Sequence, residues 1–142
     1  GILKAHLIAE GNGLIQDAVI TGHDNEFVGA IVFPEITYCR RKFGLGNDVS
    51  LADIATHRQI LNELSEVLNR LSEKSTGSST FIKRALIADF PLSVDRGEIT
   101  DKASVNQRMV LKRHPEVAAQ IYADSLPAWI VEVRSAFKDG MY

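Results

Sequence analysis

Cysteine is nearly missing from this chain. Cys39 stands alone among 142 residues, so no intrachain disulfide can form, and a single thiol agrees with a reducing, cytoplasmic setting. No histidine lies close to it in sequence, so its expected place is the interior, as a small apolar side chain. An excess of charge is missing too. The formal net charge is −2 and the densest basic run, "CRRKF", is only a few residues long. Nucleic-acid binding calls for a basic excess or stripe and is not expected. No apolar run approaches the roughly 20 residues of a membrane span, and no basic segment followed by an apolar stretch marks a signal peptide. The four histidines, His6, His23, His57 and His114, are scattered without metal-ligand spacing, so no metal site is expected. Neither G-x-S-x-G nor G-x-G-x-x-G occurs.

What is present suits one globular domain with its own core: 45% hydrophobic and 24% charged residues. The chain opens with Gly1 rather than Met, and apolar residues at Ile2, Leu3, Leu7 and Ile8 follow in helical spacing. It is expected to begin inside a structured region, as a cleaved or truncated product, with Gly1 compatible with a cloning remnant. "GNG" at 11–13 should end that helix. "DAVITG" and "FVGAIVFP" read as two strands joined by "HDNE", apolar enough for a sheet covered on both faces. "EITYCRRKFG" reads as a short helix. Ser50 should cap one long helix whose apolar face carries Leu51, Ile54, Ile60, Leu61, Leu64, Val67, Leu68 and Leu71. Glu63 and Glu66 lie on its solvated side. "EKSTGSST" lacks the lysine of a phosphate-binding loop and reads as a surface loop.

A third strand is expected in "FIKRALIADFP", then a "DRG" turn, a helix over 105–114 and another from Pro115. Trp129, Ile130, Val133 and Phe137 are spaced for an amphipathic tail helix. The fold class is α+β: a small sheet of about three strands flanked by helices.

The stretch "GEITDKASVNQR", Gly97 to Arg108, stands out. It sets two acids, one lysine, a serine and an Asn-Gln-Arg run between a strand and a helix. A solvated loop accounts for such polarity, and so does a site built around Lys102.

Two segments carry a resemblance. "VITGHDNEFVGAIVFP", with Gly22, Asp24 and Gly29, resembles a strand–turn–strand stretch in the C-terminal domain of acyl- and aryl-CoA synthetases, members of the adenylate-forming superfamily. "RALIADFPLSVDRGEITDKASVNQRMVLKRH" resembles that superfamily's last motif, and "GEITDK" followed by "NQR" is specifically similar to feruloyl-CoA synthetase. The likeness spans most of Ile2 to Tyr122. It implies the small, mobile C-terminal domain over residues 1–142, without the large AMP-binding domain and the hinge motif that precede it in the family. The implied activity is ATP-dependent activation of a hydroxycinnamate-type acid as acyl-adenylate, then transfer to CoA. ATP, Mg²⁺ and CoA would serve the intact enzyme, and the partners would be the adenylation domain and the small acid. The fragment alone is expected to be inactive.

The resemblance also implies a catalytic lysine. Aligning "SVNQR" with the usual motif puts Ser104 at the lysine's register, with Lys102 two positions earlier. If the segment is extended, positions two apart share a face and lie about 6–7 Å apart, within reach of a lysine stem. Lys102 is thus the candidate, with Thr100, Asp101 and Ser104 shaping its loop. Lys83 and Lys112 are rivals, and a solvated loop lysine is the plain alternative. A non-catalytic interaction domain that kept the fold is the other reading of the whole chain.

Overall fold

The computed structural model describes residues 1–22, 25–75 and 81–134. Helix α1 (Ile2–Gly11) closes where the sequence places two glycines around Asn12. Asn12 takes the left-handed conformation at φ 47° and its N–H bonds Ala9 O. Strands β1 (Ile15–Thr21) and β2 (Val28–Pro34) pair antiparallel. Asp24, between them in sequence, lies outside the described residues. Helix α2 (Ile36–Phe43) is capped by the Glu35 carboxylate, which accepts from Thr37 N, and is closed by Gly44. Helices α3 (Leu51–Ala55) and α4 (Arg58–Lys74) lead to β3 (Ile82–Ile87), which runs parallel to β2. Helices α5 (Gln107–Arg113) and α6 (Pro115–Ile121) precede β4 (Val131–Glu132), antiparallel to β3. The sheet has four strands in the order β1-β2-β3-β4.

Alternation along the strands divides the core in two. Ala30 and Val32 of β2 point to one face, with Ala85 and Ile87 of β3, under the apolar stripe of α4 and Leu7 of α1. Ile31 and Phe33 point to the other face, with Leu86, under Val110 of α5 and Ile121 of α6. The expectation of a sheet covered on both faces is met. Ile60, Leu61, Leu64, Val67 and Leu68 are all buried, each worth about 1.5–3 kcal/mol relative to exposure. Cys39 is fully buried in the same cluster as that stripe, and burial, then Glu63 and Glu35, push its thiol up to about 11.

Two expectations need correction. The helix after Ser50 is not continuous. Ser50 and Asp53 make a reciprocal capping box, but α3 lasts only to Ala55. The Thr56 hydroxyl turns back to Ala52 O, and His57 adopts an extended backbone and caps α4 by accepting from Ile60 N through Nδ1. The apolar series gives the break away: it skips from Ile54 to Ile60, and the residues between include a β-branched Thr and a capping His.

The tail is not a helix where it is described. Residues 131–132 form the fourth strand instead, held on β3 by the Arg84↔Glu132 and Ala85↔Val131 pairs and by the Val133 N–H to Lys83 O. Ile130 and Val131 are buried in opposite clusters, as neighbours on a strand should be. Trp129 stays 41% exposed, its indole N–H on Gln120. Phe137 lies outside the described residues. No helix among the described residues is long and apolar enough to cross a membrane.

Candidate functional site

After β3 the chain leaves the sheet through Pro91 and turns twice before α5. The first turn runs from Ser93 to Glu98. Arg96 N–H bonds the Ser93 hydroxyl, Gly97 N–H bonds Val94 O, and Glu98 N–H bonds Ser93 O at 2.9 Å. Gly97, the last residue of the expected "DRG" turn, takes φ 77°, a left-handed value that glycine adopts without strain.

The second turn is a small hairpin whose base is a bridge between Ile99 and Val105. Thr100 N–H donates to Ser104 O at 2.8 Å and Ala103 N–H to Thr100 O at 2.9 Å. Ala103 is left-handed at φ 61°. This is a three-residue hairpin loop: a turn over Asp101 and Lys102, then one residue in the left-handed region. The Thr100 and Ser104 hydroxyls face each other at 2.9 Å across its neck.

Lys102 therefore sits at the tip of the hairpin. Asp101, Lys102 and Ala103 are exposed. The extended geometry expected from the sequence is not what joins positions 102 and 104. Ser104 closes the neck against Thr100, whereas Lys102 caps the loop. The reversal comes from Ala103, which breaks the two-residue alternation of a strand. Thr100, Asp101 and Ser104 do form the loop, as expected.

The hairpin is tied to the body from both sides. On its exit side, Asp17 accepts from Val105 N at 2.9 Å through one oxygen. The other oxygen accepts from Ala18 N and meets Lys4 Nζ at 2.8 Å. Gln107 accepts from Ile20 N on the free edge of β1. On its entry side stands Glu98, 1% exposed. Its carboxylate accepts from Ser93 N at 2.8 Å, from Arg113 Nη1 at 2.6 Å and lies 2.7 Å from His114 Nε2. Its carbonyl accepts from Asn106 N at 2.7 Å, and the Asn106 side chain caps α5. His114 stacks on Phe90 at 3.8 Å between ring centroids. Burial pushes the Glu98 carboxyl up, but the Ser93 N–H, His114 and Arg113 outweigh it and hold it below the usual carboxylate value.

Sequence reasoning missed Asp17, Glu98 and Gln107. An acid beside a glycine reads as loop, and nothing local distinguishes a buried one. Arg113 and His114 lie 15 and 16 positions further on and are brought back only by the fold.

The rival lysines have different surroundings. Lys83 lies on β3 with its ammonium 4.9 Å from the Phe27 ring centroid. Lys112 is exposed in the last turn of α5, where a cation suits the helix dipole. Neither stands at a loop tip, as Lys102 does. Elsewhere, Glu63 takes the Tyr38 hydroxyl and Lys42, which makes it a surface anchor between α2 and α4. Among the described residues no cluster of three or more His, Cys, Asp or Glu side chains could hold a metal ion.

The strand–turn–strand motif is structural. A Cβ on Gly29 would stand 2.6 Å from Ile121 Cγ2 and 2.8 Å from Thr21 Oγ1. One on Gly22, at φ 115°, would stand 2.5 Å from Phe27 O. Both glycines let α6 and Tyr122 lie directly on the sheet end, where the Tyr122 hydroxyl bonds Thr21 and Phe27 O.

A four-stranded mixed sheet with helices on both faces, and a polar hairpin thrown out between β3 and α5, agree with one class of domain, the small domain of adenylate-forming enzymes. Residues 3–126 match the family described as AMP-binding enzyme C-terminal domain, and the chain belongs to that family. No curated protein matches the chain. Solved structures share the fold. The adenylation domain of a carboxylate reductase from Mycobacterium chelonae aligns with a TM-score of 0.58 at 17% identity, over 86% of this chain and 17% of that one. Two structures of the carboxylic acid reductase from Segniliparus rugosus align with a TM-score of 0.54. One is an A-PCP didomain in complex with AMP, at 18% identity over 82% of this chain and 15% of that one. The other is an A domain with AMP and a co-purified carboxylic acid, at 20% identity over 84% and 18%. The chain thus spans less than a fifth of each of these proteins.

Proposed function

We propose that this domain is the mobile C-terminal part of an acid–CoA ligase and that Lys102 is its catalytic lysine in adenylation. The observation that carries the reading is the hairpin. It presents one ammonium at an exposed tip, braced from both sides, next to a sequence that resembles the motif of feruloyl-CoA synthetases. The intact enzyme would comprise this domain and a large adenylation domain that holds MgATP and the acid as substrates.

In the first step a carboxylate oxygen attacks the α-phosphorus and the bond to the β-phosphate oxygen breaks, which releases pyrophosphate. Charge builds on the carboxylate and α-phosphate oxygens. A compact ammonium brought to them across the domain interface stabilises it, and the effect is largest where closure excludes water. In the second step the CoA thiol loses its proton, sulfur attacks the acyl carbon, and AMP leaves. A hinge rotation of this domain would carry Lys102 away before that step. A hydroxycinnamate such as ferulate is the proposed acid, on the resemblance of "GEITDKASVNQR". The likeness to reductase adenylation domains bears on the fold and does not choose the thiol acceptor.

The test is product formation. The domain joined to its adenylation domain should convert ferulate, ATP and CoA to a thioester, AMP and pyrophosphate. The 142-residue chain alone should show no ATP–pyrophosphate exchange with any acid. Exchange by this chain alone would overturn the two-domain reading. An intact enzyme that forms adenylate but passes it only to a carrier-protein thiol would overturn the CoA assignment.

A further inference from the structure

The Lys102 hairpin has few apolar anchors of its own. Its tip is exposed and its neck is polar. A loop of that kind holds one pose only if something buried fixes its ends. We propose that Glu98 is a positioning residue that fixes the pose of Lys102, an inference that rests on the reading of Lys102 above.

Glu98 bonds three other pieces of chain at one point. Its N–H and carboxylate both bond Ser93, which closes the entry turn. Its carbonyl takes Asn106 N, which fixes the exit of the hairpin. Its carboxylate takes Arg113 and His114, which fixes the junction of α5 and α6. His114 is itself held by its stack on Phe90, on the segment that leaves β3. Glu98 immediately precedes Ile99 at the hairpin base, so a shift of its backbone moves the base and the tip together.

The geometry suits a charged anchor. A buried carboxylate with an amide and two cationic or imidazole donors around it is directional, because each donor has one good approach. An apolar residue here would leave the Arg113 fork and the Ser93 amide without their acceptor. The tip, in the very next turn, would then sample several poses, and small misplacements of a catalytic group are costly in rate.

Two measurements separate this claim from the claim about Lys102. The first needs no activity. In the 142-residue chain, Glu98→Gln should raise hydrogen exchange at Thr100, Ala103 and Asn106 on the order of tenfold, as loss of a charge-assisted bond permits. The amide of Ala88 in the sheet should not follow. Glu10→Gln, which breaks a comparable cluster with Arg70 and Lys74, should leave the hairpin amides unchanged. Should Glu98→Gln not fold, His114→Phe keeps a ring over Phe90, deletes one bond, and should produce a smaller rise at the same amides. The second is a double-mutant cycle in the intact ligase. Glu98→Gln should lower kcat for adenylation roughly tenfold with Lys102 present and have no further effect in a Lys102→Ala background. Unchanged hairpin amides in the folded variants would refute the clamp. Equal losses in both backgrounds would show that Glu98 does not act through Lys102. If Lys102→Ala is silent, the catalytic reading of Lys102 fails and Glu98 loses its catalytic role with it, while the exchange data still decide whether it anchors the hairpin.

Discussion

Gly29→Ala sets two effects of opposite sign against each other, and the structure decides which wins. Replacing glycine narrows the unfolded ensemble and should stabilise by about 0.4–1 kcal/mol where the native conformation accepts a side chain. Gly29 lies within β2 and does not have the left-handed φ that favours glycine. Backbone strain therefore does not enter. Space does. The new methyl would stand 2.6 Å from Ile121 Cγ2, 2.8 Å from Thr21 Oγ1 and 3.3 Å from Arg84 O. Ile121 is fully buried, and Thr21 is held by Tyr122, so neither is free to swing away. Overpacking of a tight core costs about 1–3 kcal/mol, which leaves a net loss of ~0–2.6 kcal/mol, centred near ~1.3 kcal/mol, once the entropy gain of ~0.4–1 kcal/mol is subtracted. Urea unfolding followed by tryptophan fluorescence should show a lower midpoint at unchanged m-value, and Tm should fall by about 4 °C per kcal/mol. Ile121→Ala removes the methyl that collides. In that background Gly29→Ala should cost at least ~0.5 kcal/mol less, since residues in contact couple. A stabilising Gly29→Ala, or an equal cost in both backgrounds, would refute the claim that α6 closes on this glycine.

Three further outcomes follow from particular residues. Ala103→Gly should stabilise the domain by up to ~1 kcal/mol, because relief of an alanine in the left-handed region outweighs the added unfolded-state freedom; a lower midpoint in urea would contradict the hairpin geometry. Cys39 should resist thiol reagents at pH 7 in the folded chain, since a thiol pushed up to about 11 is thiolate in only about one molecule in 10⁴; reaction as fast as in urea-unfolded protein would place it at the surface. Glu98 has a folded-state pKa below its ordinary value, so its stabilisation is present above the unfolded-state pKa and is lost as pH falls through the folded one. Acid titration of stability should therefore be flatter below about pH 4.5 in Glu98→Gln, and an unchanged acid slope would show that folding does not lower the pKa of this carboxyl.

Legibility in the sequence followed the range of the forces involved. Elements with local signals were predicted close to their bounds. Asn12 and the glycines around it end α1, Gly44 ends α2, Ser50 and Asp53 open α3, and Pro115 opens α6. In each case a cap or a fixed φ acts within a few residues. Elements defined by distant partners were not predicted. Strand β4 is two residues long, and its identity comes from β3 and not from its own pattern. Residues at 129, 130 and 133 fit a helix equally well on spacing alone.

The site divides in the same way. The candidacy of Lys102 was legible, because it stands in a polar stretch with a family likeness. Its pose was not, because Ala103 adopts a conformation that its sequence does not advertise. Glu98, Asp17 and Gln107 act over 15 to 88 positions of sequence, and such pairings are set by the sheet and the helices that the two clusters hold together.

The central claim is tested most directly by Lys102→Ala in the proposed two-domain enzyme, with the two half-reactions measured apart. Adenylation, followed as ATP–pyrophosphate exchange with ferulate, should fall by about 10²–10³, the usual cost of removing one preorganised charge contact to a transition state. Thioester formation from pre-made feruloyl-adenylate and CoA should be largely spared. Stability should change by less than about 0.5 kcal/mol, as for other exposed loop positions. Lys83→Ala and Lys112→Ala should keep normal exchange. If Lys102→Ala exchanges normally while either control loses activity, the catalytic lysine is elsewhere; if all three exchange normally, the hairpin is only a loop.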